Sequence, residues 1–307
     1  MSRPEQSVRP TADVVERIDR MPLLPSSIAR MLELDPSSDG FFDEVVALGR
    51  QDPMFALRLV RLANSSLSAP ARPVTELPQA VVRLGSKQCA NLAVALALSR
   101  VFVPRESVQR ALWLHSVEVA TVARAIAAMT PAAPFTAEQA YLAGLLHDVG
   151  RFPMLECAPA DLVRVEEVNW SSPEEMRRSE VAVLGYDHLH LGALVCRRWS
   201  LPSPLADSIT LHHATDLPRG CAGPVAALVR TVQLADRTSM LLELHPEVLD
   251  AGVDELAALV ERYCTVPAAG PALPAPAALA RRLGEIRREA AAVCSGILEL
   301  QEHRRSA

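Results

Sequence analysis

Apolar residues recur along this chain at three- and four-residue steps, and strict apolar-polar alternation is rare, so the pattern predicts an all-helical protein. From Arg105 to Met129 the positions Val108, Ala111, Leu112, Val119, Val122 and Ile126 make one stripe, and His115 falls on it. From Pro224 to Leu244 the stripe reads Val225, Leu228, Val229, Val232 and Met240, completed by a carboxylate, Asp236. His188 heads a face made of Leu191, Val195 and Trp199, and His212 follows Leu205 and Ile209 along another. An ionised carboxylate buried without a partner costs several kcal/mol. Asp236 therefore requires a cation, a hydrogen-bond donor or a proton.

Helix signals divide the chain into three parts. Residues 1–104 are expected to form an N-terminal lobe, with about five helices after residue 12. Asp52 is an N-cap there, with Pro53 at the first helical position, where its missing N–H is harmless. The loop Ser68–Pro73 interrupts this lobe, and Asn64 before it reads as a left-handed helix cap or as part of a groove shaped with Pro70 to Pro73. Residues 105–246 form a second helical lobe that carries the histidines, and Ser172-Pro173-Glu174-Glu175 repeats the capping grammar of Asp52-Pro53. Residues 247–307 hold a short helix near Val253 to Tyr263 and a proline-rich linker from Val266 to Pro276. A terminal helix over 277–303 follows, with Leu279, Leu283, Ile286, Ala290, Val293, Ile297 and Leu300 on one face. That face is too large to leave bare, so it docks back on the body or joins a second copy in a homodimer.

Composition narrows the function classes. Half of the 307 residues are apolar, enough for a sizeable core without staples. The formal charge of -5, with arginines interleaved among acids, argues against general nucleic-acid binding. The pairs Arg58/Arg61, Arg177/Arg178 and Arg304/Arg305 read as solvated surface. Six scattered cysteines with no C-x-x-C pair read as reduced thiols rather than a disulfide framework or zinc knuckle. The apolar stretch from Cys89 to Leu98 is too short to span a bilayer, and Met1 to Met21 has no secretory segment, so a cytoplasmic protein without membrane contact is expected.

Six of the eight histidines lie between His115 and His213. The order is His115, the pair His147-Asp148, then His188, the pair His212-His213, and Asp236, a spacing that suits a metal-dependent phosphohydrolase. A lone histidine on an apolar face is usually a hydrogen-bonded core residue. Five histidines and two aspartates so placed point to a metal site or to a satisfied polar network descended from one.

The run Leu146-His147-Asp148-Val149-Gly150-Arg151 resembles the HDIGK signature of the HD superfamily, with Val for Ile and Arg for Lys. Arg for Lys is a mild departure in a chain whose only lysine is Lys87. Leu23-Leu24-Pro25, Asp52-Pro53 with Arg61-Leu62-Ala63-Asn64-Ser65, Ala80-Val81-Val82-Arg83-Leu84-Gly85, Trp113-Leu114-His115-Ser116, Gly185-Tyr186-Asp187-His188 and Trp199-Ser200-Leu201-Pro202 resemble HDOD domains, in that family's order. This resemblance covers roughly residues 17–215. It implies a two-lobed helical HDOD fold with an HD-like bundle lobe, in a regulatory module of bacterial signalling related to HD and HD-GYP phosphodiesterases.

Carried across, the HD metal set is His115, His147, Asp148 and Asp236, and the second-metal histidines of the HD-GYP relatives match His188, His212 and His213. The resemblance makes Asp148 the bridge between two metals. The donor mixture suits a divalent metal, iron or manganese ahead of zinc. Arg151 is the candidate phosphate or ligand contact. Two departures stand out: Ala111 occupies the position where metal-rich HD-GYP enzymes have Glu, and no Gly-Tyr-Pro segment follows His212-His213. Two functions follow: a signalling adaptor, without turnover, that contacts another signalling protein, or a metal-dependent phosphohydrolase acting on a nucleotide or cyclic dinucleotide.

Overall fold

The computed structural model describes residues 10–20, 38, 40–51, 59–60, 63–64, 74–86, 89, 107–168, 170, 172–199, 201, 203–218, 221, 223–250, 252–266 and 273–305, with side chains except at 49, 51, 107, 138 and 295–305. Expectations for Leu23–Pro25, Asp52-Pro53, Arg58, Arg61, the loop 68–73 and residues 90–98 lie outside the described residues. Among the described residues all regular structure is helical, as the apolar spacing predicts. The helices are α1 (Ala12–Asp19), α2 (Phe41–Gln51), α3 (Ser107–Ala128), α4 (Ala137–Leu146), α5 (Arg151–Cys157), α6 (Pro159–Glu166), α7 (Pro173–Leu184), α8 (His188–Arg198), α9 (Ser203–Leu211), α10 (Pro224–Leu244), α11 (Val253–Tyr263) and α12 (Pro276–Arg305). A further helical run covers 77–86.

The chain divides into two compact units, one of residues 1–21 with 105–288 and one of residues 22–104 with 289–307. In the larger unit α3, α4 and α10 pack on one another, and Val119, Val122, Ile126, Ala143, Val232 and Leu242 are buried in their shared core. Gly144 makes the α3–α4 crossing close, because a Cβ there would lie 2.8 Å from the Ala120 Cα and 2.9 Å from the Val119 carbonyl oxygen. Although α1 precedes the smaller unit in sequence, it packs on α5 and α8, burying Val14 and Ile18. Val108–Ala128 is long and apolar enough to cross a membrane, but it is mostly buried in this unit, as a core helix is.

Local grammar explains several boundaries. Ser172 caps α7 by accepting from the Glu175 N–H, with Pro173 in the first turn, and Gly185 ends that helix at φ 81°, a conformation that disfavours a Cβ. Helix α11 spans the expected Val253–Tyr263. Leu279, Leu283 and Ile286 of α12 are buried in the core of the larger unit, so this stretch of the amphipathic face docks back on the body.

The smaller unit has its own core, including Phe41, Val45, Leu59, Ala63, Val81 and Leu84. Asn64 has a more definite role than a left-handed cap. Its amide nitrogen donates to the carbonyls of Val60 and Val74, both at 2.7 Å, and its Oδ1 accepts from the Val74 N–H at 2.8 Å. The side chain thus satisfies a carbonyl at a helix end and pins it to a segment ten residues on. Asn64→Gly is expected to cost about 1–2 kcal/mol, because glycine supplies none of these bonds. Chemical denaturation of the full chain checks this, and an unchanged midpoint for the smaller unit would contradict it.

Candidate metal centre

Asp148 is the centre of the buried polar cluster. It follows α4 in the turn before α5, with Gly150 behind it, and a Cβ on Gly150 would lie 2.0 Å from the His188 carbonyl oxygen and 2.5 Å from the Gly192 nitrogen. That close approach seats the start of α8 against the His147-Asp148 turn. His188 Nε2 and His212 Nε2 each lie 3.4 Å from Asp148 Oδ1, whereas His147 Nε2 lies 3.6 Å from Oδ2. Asp236, from the middle of α10, places Oδ1 3.3 Å from His115 Nε2 and 3.8 Å from His147 Nε2. Two overlapping donor groups result: Asp148 with His188, His212 and His213, and Asp148 with His115 and His147. All seven residues singled out in the sequence come together, and Asp148 belongs to both groups.

The outer ring nitrogens show which way the imidazoles are presented. His147 Nδ1 donates to the Gly144 carbonyl at 2.7 Å and His212 Nδ1 to the Ile209 carbonyl at 2.8 Å. A carbonyl only accepts, so both rings carry a proton on Nδ1. His188 Nδ1 lies 2.6 Å from Glu180 Oε2, which also accepts the His188 backbone N–H at 3.0 Å. The inner Nε2 atoms of His147, His188, His212 and His213, together with Asp148 Oδ1, are buried without a hydrogen-bond partner. Such atoms are costly unless something satisfies them. Their separations are long for hydrogen bonds but match ligands around one ion, roughly 3.0–3.5 Å apart at bond lengths near 2.1 Å. The residues fit a divalent metal, with the outer acceptors as its orienting shell.

Charge sharpens this arrangement. Burial disfavours the His147 imidazolium and, against the pull of Asp148 and Asp236, pushes its pKa down to about 4. Burial acts the same way on His213, with His212 and His188 adding to it. For His115, burial is outweighed by the Asp236 hydrogen bond and the charges of Asp236, Asp148 and Glu243, which push it up to about 9. Burial would raise the Asp148 carboxyl, yet His147, His188, His212 and Arg151 hold it well below its ordinary range.

These shifts set the pH dependence of the metal-free protein. As pH falls below 6.5, unfolded His147 takes up a proton that the folded ring refuses until about pH 4, so stability is lost across that window. As pH rises above 6.5, folded His115 keeps to about pH 9 a proton that the unfolded ring has released, so stability is lost there as well. Each arm amounts to about 3 kcal/mol when fully developed. Denaturation in the presence of chelator should therefore give a stability maximum near pH 6.5, and a flat profile from 4 to 9 would contradict these environments.

A cavity of about 160 Å³ opens on His115, Asp148, Arg151 and Asp236, walled by apolar side chains such as Leu112, Leu155 and Met240. Arg151 is buried among three carboxylates. Its Nη2 donates to Glu166, its Nε lies 3.3 Å from Glu180 Oε1, and its Nη1 lies 3.9 Å from Asp148 Oδ2. It braces three carboxylates.

The HDOD domain family matches residues 21–215, more than half of the chain. This chain belongs to the HDOD family. An uncharacterised protein of Treponema pallidum (strain Nichols) is 26% identical over 238 residues, 78% of this chain but only 46% of that protein's length. Two solved structures share the fold. An HDOD domain protein of unknown function from Geobacter sulfurreducens superposes with a TM-score of 0.67 at 24% identity, over 92% of this chain and 97% of that one. A protein provisionally named a phosphohydrolase, from Shewanella amazonensis SB2B, gives 0.68 at 22% identity, over 94% and 98%. Asp236 lies beyond the segment matched by the family, yet faces into the HDOD cluster.

Several positioning residues of this HDOD chain had no motif to announce them. Glu180 is fully buried between His188 and Arg151. Arg177 is no solvated arginine: it donates through Nε and Nη2 to Asp187, whose other oxygen caps α8 at the His190 N–H. Arg230 and Gln233 of α10 donate to the carbonyls of Ala214 and Thr215 and fix the turn that presents His212-His213. Polar residues inside an apolar helix such as α10 are the signal that could have found this last pair.

Proposed function

We propose that this chain is a regulatory module of the HDOD type whose larger unit is organised around a divalent metal, iron or manganese ahead of zinc, and which acts through contact with another signalling protein in the cytoplasm rather than by turnover. The observation that carries the metal is the set of buried Nε2 atoms converging on Asp148 without partners. A bound ion would supply Lewis acidity and satisfy those nitrogens. Histidine and carboxylate donors in this mixture favour iron or manganese.

The absence of turnover is supported by the cavity. Its volume of about 160 Å³ falls short of the roughly 300–1,000 Å³ of small-molecule pockets. Arg151 is drawn into ion pairs with Asp148, Glu166 and Glu180, which compete with a phosphate for its guanidinium, and Ala111 on the cavity wall offers no ligand atom. A homodimer through residues 277–303 would have to use positions other than Leu279, Leu283 and Ile286, which the chain's own core covers.

A second reading, a metal-dependent phosphohydrolase acting on a nucleotide or cyclic dinucleotide, is favoured by one observation: the cavity opens directly on His115, Asp148 and Asp236. Manganese- and iron-loaded protein assayed against a generic aryl phosphodiester, a nucleoside monophosphate and a cyclic dinucleotide separates the two. The regulatory reading predicts no hydrolysis above that of the free metal. Turnover abolished by Asp148→Ala would establish the enzyme instead.

A further inference from the structure

Behind His115 runs a chain of polar contacts that ends on the C-terminal helix. Ser239 Oγ donates to Glu118 Oε2 at 2.9 Å and lies 3.3 Å from His115 Nδ1. Glu118 is buried on α3, and its other oxygen lies 3.7 Å from Nε of Arg287 on α12. Arg287 also donates through Nη1 to the Leu242 carbonyl at 2.9 Å, in the last turn of α10, which fixes the guanidinium where α3, α10 and α12 meet. Ser239 and Arg287 lie beyond the segment that the family matches.

We propose that Glu118, Ser239 and Arg287 are positioning residues that fix which ring nitrogen of His115 is offered to the metal, making the docked C-terminal helix part of the metal site's support. The inference rests on the metal-holding reading above. Its warrant is a count of protons. A carboxylate paired with Arg287 only accepts, so the single hydroxyl proton of Ser239 is committed to Glu118. Ser239 Oγ then has only lone pairs left for His115, and the Nδ1 proton of the ring points at it. Glu243 Oε2, 3.8 Å from the same Nδ1, is a second acceptor and pulls the same way, though more weakly because its side chain is half exposed. Nε2, 3.3 Å from Asp236 Oδ1, shares its proton with that carboxylate in the metal-free protein and is the nitrogen that an ion would take on displacing it. His115 thereby presents the same nitrogen as His147 and His212, which reach that state through backbone carbonyls. At His115, as at His188 with Glu180, the orientation depends on a charged residue of another helix, and here that residue is tied to the C-terminal helix.

Glu118→Gln tests this, because the near-isosteric amide can donate as well as accept and so releases the constraint on Ser239. Arg287→Met withdraws the cation while leaving Glu118 and Ser239 in place. Competitive titration with Mn²⁺ alone should show affinity weakened roughly 10- to 100-fold in both variants, the usual effect of losing an outer-shell partner. Nitrogen-15 and proton shifts of His115 should report a hydrogen-bonded Nδ1–H in the wild-type protein and a weakened one in Glu118→Gln. Wild-type affinity in both variants overturns the inference. A wild-type protein that binds no Mn²⁺ overturns the metal reading, and the Nδ1–H signal of His115 in the metal-free protein then decides the positioning role alone. A hydrogen-bonded Nδ1–H that is weakened or lost on substitution upholds that role, and the same Nδ1–H signal in both proteins ends it.

Discussion

Gly150→Ala is expected to be the most damaging single-methyl change in the larger unit. The added Cβ would meet the backbone of His188 and Gly192 at 2.0 and 2.5 Å, and no side-chain rotation relieves a contact with backbone. Helix α8 must move outward, carrying His188 away from Asp148. Overpacking ordinarily costs about 1–3 kcal/mol. A clash this close with backbone should exceed about 3 kcal/mol, a drop of roughly 6–12 °C in melting temperature for a unit of this size. Metal affinity should fall with it. A melting temperature within a degree or two of wild type would mean that α5 and α8 do not approach as described.

Asp148→Ala should have the second largest effect, and in two separable parts. In metal-free protein the substitution removes the one carboxylate facing His147, His188 and His212 together and takes a partner from Arg151, which should cost about 2–4 kcal/mol. In metal-loaded protein it also removes the ligand common to both donor groups, so the stabilisation that metal gives the wild type should vanish. Thermal melts with and without manganese separate these parts. An unchanged melting temperature in both states would contradict the burial and the centrality of Asp148.

The inner donors were legible in the sequence because each breaks a pattern: Asp236 interrupts an apolar stripe, and His115, His188 and His212 sit on faces that should be buried. The helix ends at Ser172-Pro173 and Val253 were legible through local rules that need no tertiary knowledge. What stayed hidden depends on which element faces which. Glu180 lies in an acidic stretch that reads as solvent-facing until α7 is set against His188 and Arg151. The acceptors that fix His147 and His212 are backbone carbonyls, which carry no side-chain signature at all. The place of Arg151 beside the His-Asp pair suggests a ligand contact, and its three carboxylate partners appear only once α6 and α7 are packed. Periodicity tells which side of a helix is inward, not what it meets there.

If the convergent histidines of this HDOD chain hold a metal, the ion should accompany the protein through purification or enter it on loading. The most direct test is elemental analysis of the full chain purified without chelator and after exchange into manganese-containing buffer. About one equivalent or more of iron or manganese per chain is expected, lost in Asp148→Ala and accompanied by a higher melting temperature in the wild type. Wild-type protein that stays metal-free after loading, and melts at the same temperature with and without manganese, would contradict it.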